Sequence, residues 1–151
     1  MTTMSATIDR ARPDEIPRVL RLLEQQGLPL DGARELGEGL LVARQDGQVV
    51  GAAGLEFYVD GALLRSVVVE AGIQGQRLGQ RLTEAALALA SERCAPAVFL
   101  LTTTAERFFL RFGFERIDRN DVPASVRGSV EFTSACPASA VVMRRRIDAI
   151  P

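Results

Sequence analysis

Between Val67 and Leu82 the hydrophobic pattern of this chain changes its period. Val67, Val68 and Val69 close a β-branched run that opens at Leu63. Gly72, Gly75 and Gly79 follow, and Leu78, Leu82, Ala85, Ala86 and Leu89 recur at helical spacing until Cys94-Ala95-Pro96 ends the stripe. A strand that turns through glycines into an amphipathic helix commits the chain to a sheet with helices packed on it. At such a junction the first helical N–H groups have no partner within the helix, the positive end of the helix dipole faces the turn, and glycine lets an anion approach the main chain. The turn lacks the Gly-Lys-Ser/Thr ending of a P-loop and the three spaced glycines of a dinucleotide fold. Taken alone, it reads equally as a pyrophosphate site or as an ordinary connection that needs small residues.

The rest of the chain extends this pattern. Pro13, Asp14 and Glu15 suit a first helical turn, and Ile16, Val19, Leu20 and Leu23 continue it before Gly27-Leu28-Pro29. Residues 30–39 predict a loop or a short second helix. Leu40 to Arg44 and Val49 to Phe57 predict a hairpin around Asp46-Gly47, and Asp60-Gly61 turns the chain into the Leu63 to Glu70 strand. After the long helix, Ala97 to Thr102 predicts a buried strand, Ala105 to Phe112 a short helix closed by Gly113, and Phe114 to Asp118 another strand. Residues 119–138 predict a long loop with a helical turn at Ala124 to Arg127, and Ala140 to Ile147 a last strand whose Arg144-Arg145-Arg146 run marks a solvated edge.

The expected architecture is α+β (α/β), a three-layer arrangement in which helices flank a mixed central sheet of about six to seven strands. One domain over residues 1–151 is the expectation at this length. With 47% apolar and 25% charged residues and a net charge of −1, the chain has a globular balance and no broad positive field for nucleic acid or an anionic membrane. Its apolar runs are strand-sized, and Asp9, Arg10, Arg12 and Asp14 precede the first of them, so no membrane span or secretory signal is expected and the expected location is cytoplasmic. Cys94 and Cys136 have no partner at zinc-site spacing and there is no histidine, so the expectation is two structural thiols and no metal. With no lysine either, a general base near neutral pH has to be a carboxylate or a water chain.

Gln74-Gly75-Gln76-Arg77-Leu78-Gly79 resembles the acetyl-CoA signature of the GNAT superfamily, Gln/Arg-x-x-Gly-x-Gly/Ala, with Arg77 where the middle glycine is expected. Phe108-Phe109-Leu110-Arg111-Phe112-Gly113-Phe114 is similar to the Phe-Tyr-x-x-x-Gly-Phe pattern of the same superfamily, and the order of elements agrees over most of the chain. A narrower resemblance, to the arsenic-resistance N-acetyltransferase family, lies in Leu64-Arg65-Ser66-Val67-Val68-Val69, Leu100 to Ala105, Glu131-Phe132 and Cys136 to Ala140. Together these imply transfer of acetyl from acetyl-CoA to the primary amine of a small molecule. In a detoxification role the acceptor would be an arsenic- or phosphorus-containing amino-acid analogue. Another amine acceptor, or an acyl-CoA-binding regulator without catalysis, is the alternative.

The resemblance also implies residue roles. Val67 and Val69 would offer main-chain groups to the pantetheine arm, and the N–H groups from Gln76 to Gln80 would hold the pyrophosphate, Arg77 or Arg81 pairing with it. Gln74, Gly75, Leu78 and Gly79 complete that turn, and Phe109 stands where many relatives carry the tyrosine that protonates the thiolate. A phenyl ring has no proton to give, which leaves Ser66, a hydroxyl of Thr102 to Thr104, or a water. Glu56 and Glu70 are the candidate bases, Glu56 being favoured because its Gly54-Leu55-Glu56 run is shared with the narrower family. Arg65 and Arg127 are candidate clamps for an acceptor carboxylate, and Phe57 and Phe132 candidate walls of its pocket. A homodimer formed by pairing the last strand across subunits is a further expectation.

Overall fold

In the computed structural model, which describes residues 6–73, 77–132 and 139–147, seven strands form one mixed sheet. They are β1 (Thr7–Arg10), β2 (Leu40–Gln45), β3 (Gln48–Tyr58), β4 (Gly61–Val69), β5 (Ala97–Thr102), β6 (Glu115–Ile117) and β7 (Val141–Arg146), in the spatial order β1-β2-β3-β4-β5-β7-β6. The β2–β3 hairpin turns on Asp46 and Gly47, at φ 53° and 77°, the left-handed pair that the Asp-Gly dipeptide tolerates. All neighbours are antiparallel except β4 and β5. The chain crosses from one to the other through α2 (Leu78–Glu92), as a parallel pairing requires.

Helices cover both faces. On one, Leu78, Leu82, Ala86 and Leu89 of α2 pack with Leu55, Leu64, Val98 and Leu100, and α3 (Glu106–Leu110) adds Phe109. On the other, Val19, Leu22 and Leu23 of α1 (Ile16–Gln25) pack with Val42, Ala52 and Val68, while Val122 and Val126, the latter from α4 (Ala124–Arg127), cover Leu63, Phe99 and Val142. Alternate residues of β5 enter opposite cores, Val98 and Leu100 one and Ala97 and Phe99 the other, so its continuous apolar run reflects burial on both faces. Each buried Val, Leu or Phe among them contributes about 1.5–3 kcal/mol.

Three features differ from the expectation. β1 carries no apolar alternation; it is an edge strand held by its ladder to β2, and three of its four residues are exposed. The first turn before α1 is a 3₁₀ turn, Pro13–Glu15, and Glu15 is buried there against Arg44. The last strand is no edge: β7 is inserted between β5 and β6, because residues 115–117 pair outside it. The outer strand on that side is β6, and the reason given for dimerisation through the last strand does not hold. Among the described residues no helix is long and apolar enough to cross a membrane.

Candidate active site

A strand fork defines the site. β4 and β5 pair at only two positions, Ala62 with Val98 and Leu63 with Phe99, and then separate. The cause lies in β4. Ala52 faces Val68 and Gly54 faces Arg65, so two steps on β3 match three on β4, and the extra residue is accommodated with Ser66 at φ 60°. A bulge of this kind bends its strand and re-aims the side chains beside it.

Two adjoining cavities fill the fork. One, of about 490 Å³, lies between Leu64–Val67 and Leu100–Ala105, bordered by Phe108 and Phe109 of α3 and by residues 26–29 after α1. The other, of about 450 Å³, runs along Val67–Val69 to Arg77, Gly79, Gln80 and Arg111. Gln26, Val67 and Phe108 border both. Gln26 donates its side-chain amide to the main-chain carbonyl of Val69 at 2.6 Å, tying the end of α1 to the opened strand. A depression of about 600 Å³ lies elsewhere, along β6 and β7, among Glu115, Arg116, Asp118, Arg119 and Arg144, and touches neither the fork nor the glycine turn.

At the mouth of the second cavity α2 begins. Arg77 precedes its first residue at φ 60° and ψ 22°, a left-handed conformation at the position where the resembled signature has glycine. A Cβ on Gly79 would sit 3.5 Å from Phe108, ordinary contact for a methyl group, on the side where the cavity opens. Gln74, Gly75 and Gln76 lie outside the described residues.

On the α1 and α4 face of the fork, polar side chains converge on Arg65. Its side chain is 1% exposed, with Nη1 2.9 Å from Oε2 of Glu56 and Nη2 3.5 Å from Oε2 of Glu131. Nη2 also donates to the carbonyl of Pro29 at 3.5 Å, and Nε to the Ser66 hydroxyl at 3.2 Å. Oε1 of Glu56 accepts from Tyr58 at 2.5 Å and from Ser129 at 2.6 Å. Burial, and then the hydrogen bond to Glu56, push the Tyr58 hydroxyl above its ordinary pKa, so it stays a donor at neutral pH. Among the described residues two carboxylates, Glu56 and Glu131, thus share one guanidinium.

Of the residues singled out in the sequence, Arg65, Ser66, Val67 and Phe109 border the first cavity, and Val67, Val69, Arg77, Leu78, Gly79 and Gln80 the second. Glu56 stands behind Arg65. Glu70 pairs with Arg18 of α1 at 2.9 Å and borders neither cavity. Phe57 lies under the guanidinium of Arg93, Phe132 under that of Arg119, and Arg127 is exposed; none of the three borders the fork. Thr102 caps the next turn by accepting from the Ala105 N–H at 2.9 Å. Sequence reasoning gave no role to Gln26, Ser129 or Glu131. Only Glu131 carried a signal there, as part of the narrower resemblance.

The GNAT acetyltransferase domain model matches residues 37–116, more than half of the chain, and the chain belongs to that family. An uncharacterized N-acetyltransferase of Chlorobaculum tepidum is 35% identical over 86 residues, 56% of this chain and 55% of that protein; the match thus spans about half of the relative. The N-acetylglutamate synthase of Neisseria gonorrhoeae, solved with coenzyme A and N-acetyl-glutamate, superposes on 98% of this chain and 36% of its own at TM-score 0.82 and 22% identity. Rv2747 of Mycobacterium tuberculosis, solved with CoA and NLQ, superposes on 93% of this chain and 99% of its own at TM-score 0.81 and 23% identity. At these identities the likeness establishes the fold.

Proposed function

We propose that this chain is an acetyl-CoA-dependent N-acetyltransferase whose acceptor is the primary amine of a small molecule. The observation that carries the reading is the fork itself: an opened strand edge at Val67–Val69 leads from a helix N-terminus to a buried cluster of carboxylates. The fit to coenzyme A rests on three features of this chain. The β4 edge beyond Leu63 has left its β5 ladder, Gly79 leaves room beside Phe108, and Arg77 and Arg111 border the same cavity. Two fold neighbours solved with coenzyme A support the same assignment.

When bound, acetyl-CoA supplies a thioester carbonyl for attack by the amine. Val67 orients the pantetheine arm through its main chain, Val69, whose carbonyl accepts from Gln26, lines the same path, and the start of α2 with Arg77 holds the pyrophosphate. Phe108 and Phe109 exclude water from the reacting end. Phe109 has no hydroxyl, so the thiolate takes its proton from the Ser66 or Thr103 hydroxyl at the cavity wall or from water. The Arg65 cluster supplies the base.

The narrower resemblance at Arg65, Ser66 and Glu131 supports an amino-acid analogue carrying arsenic or phosphorus as acceptor, in detoxification. Arg65, the cation expected to hold its carboxylate, borders the cavity but is already held by Glu56 and Glu131, so a carboxylate-bearing acceptor has to find its cation elsewhere. A thiol-release screen over amino acids, their phosphorus and arsenic analogues, polyamines and aminoglycosides tests the reading. Release of coenzyme A with one class identifies the acceptor; uptake of acetyl-CoA without release by any amine leaves the acyl-CoA-binding regulator.

A further inference from the structure

We propose that Glu131 is the carboxylate that receives the acceptor's ammonium group and takes its proton, with Glu56 and Arg65 as positioning residues. This rests on the acetyl-transfer reading above.

Among the described residues the charged side chains bordering the cavity between β4 and β5 are Arg65 and Glu131. Glu131 is 5% exposed and borders the cavity from a buried position. Glu56 lies behind. Its two oxygens receive Tyr58, Ser129 and Arg65, three donors on about four lone-pair positions, which leaves it poorly placed to take a further proton. The two acids differ in placement, although both sit on one guanidinium.

Arg65 links them through its planar fork, Nη1 towards Glu56 and Nη2 towards Glu131. Ser129 adds a second link, donating to Glu56 while its oxygen accepts from the Glu131 N–H at 3.2 Å. Glu56 therefore fixes the guanidinium and the hydroxyl that place Glu131. Among the described residues the titratable and charged groups in this cluster are Arg65 of β4, Glu56 and Tyr58 of β3, and Glu131. Carboxylates at the cavity favour entry of the acceptor as a cation.

The acceptor's R–NH₃⁺ gives one proton to the Glu131 carboxylate. The nitrogen lone pair then forms the C–N bond to the thioester carbonyl carbon while the C–S bond breaks and its electron pair leaves on sulfur. The second proton lost from nitrogen ends on that sulfur, and Glu131 passes its own proton to water. One ammonium and one thioester thus yield one amide, one thiol and one released proton.

The test uses the full chain and the amine that gives the fastest thiol release in the screen. Glu131→Gln should lower kcat at pH 7 by about two to four powers of ten, and the deficit should shrink as pH approaches the pKa of the amine itself. Acetyl-CoA affinity by calorimetry should stay within about twofold of wild type, well under the 1.4 kcal/mol of a tenfold change. Glu131→Asp, which keeps the charge, should recover part of the rate. Glu56→Gln should lower kcat less, without rescue at high pH. Wild-type kcat and pH profile in Glu131→Gln would overturn the assignment, as would high-pH rescue confined to Glu56→Gln. If Glu131→Gln does not fold, a folded Glu131→Asp with unaltered kcat overturns it equally. A wild-type protein that releases thiol with no amine overturns the acetyl-transfer reading, and this assignment with it.

Discussion

Nη1 of Arg65 lies 2.9 Å from Oε2 of Glu56, with 1% of the arginine side chain and 15% of the glutamate side chain exposed. Removing one partner of a buried ion pair strands the other, at about 3–5 kcal/mol, and here two carboxylates lose one cation. Arg65→Ala is therefore expected to lower the melting temperature by roughly 10 °C, at about 2–4 °C per kcal/mol for a domain of this size. Calorimetric melts of the purified variant check this. A melt unchanged from wild type would remove Arg65 from the framework and return it to the role of a free carboxylate clamp.

Gly79 tests the coenzyme site. Its missing Cβ would stand 3.5 Å from Phe108 and 4.0 Å from Val69. Gly79→Ala should bind coenzyme A within about threefold of wild type and Gly79→Leu at least about tenfold more weakly, a difference of about 1.4 kcal/mol or more. Isothermal titration on variants of verified fold measures both. Equal affinities would move the pyrophosphate away from this turn.

Arg77 holds a left-handed conformation, φ 60°, that costs a residue with a Cβ about 1–2 kcal/mol. Glycine relieves that strain and gives back about 0.4–1 kcal/mol through the freer unfolded chain, so Arg77→Gly should be slightly more stable than wild type. Its coenzyme affinity should nevertheless fall, and fall less steeply with salt, because a phosphate-facing cation has gone. Thermal melts and titrations at two salt concentrations separate the two effects. A less stable Arg77→Gly, or one of undiminished affinity, contradicts the corresponding half.

Glu15 gives the fold a pH dependence at low pH. Arg44 donates to both of its oxygens, at 2.7 and 2.8 Å, and this hydrogen bonding, with the Arg12 N–H and the nearby positive charges, outweighs burial to hold the carboxyl at about 2. A carboxyl depressed in the folded state contributes its stabilisation fully above its ordinary range near 4.5 and loses it as pH falls towards 2. Because the pair borders solvent, the contribution is about 1–2 kcal/mol, less than the whole shift implies. The loss in melting temperature between pH 6 and pH 3 should be smaller in Glu15→Gln than in wild type. Parallel curves would show that other carboxylates dominate.

Local pattern carried much of this protein. The Asp46-Gly47 hairpin, the α2 stripe from Leu78 to Leu89, the buried β5 run and the short α4 turn all stand where period and turn chemistry place them, because those signals depend on near neighbours in the chain. The glycine-bearing turn before α2 announced a helix N-terminus for the same reason. What the tertiary structure decided is everything that depends on which distant segments meet. A polar β1 is a strand only because β2 offers a ladder, and β7 is interior only because Glu115–Ile117 pairs outside it. The fork exists because one extra residue at Ser66 bends β4 from β5. Arg65 reads in sequence as a cation available to a ligand. It becomes a buried link between Glu56 and Glu131 because β3 and the segment after α4 bring both carboxylates to it, a long-range convergence that no local periodicity encodes.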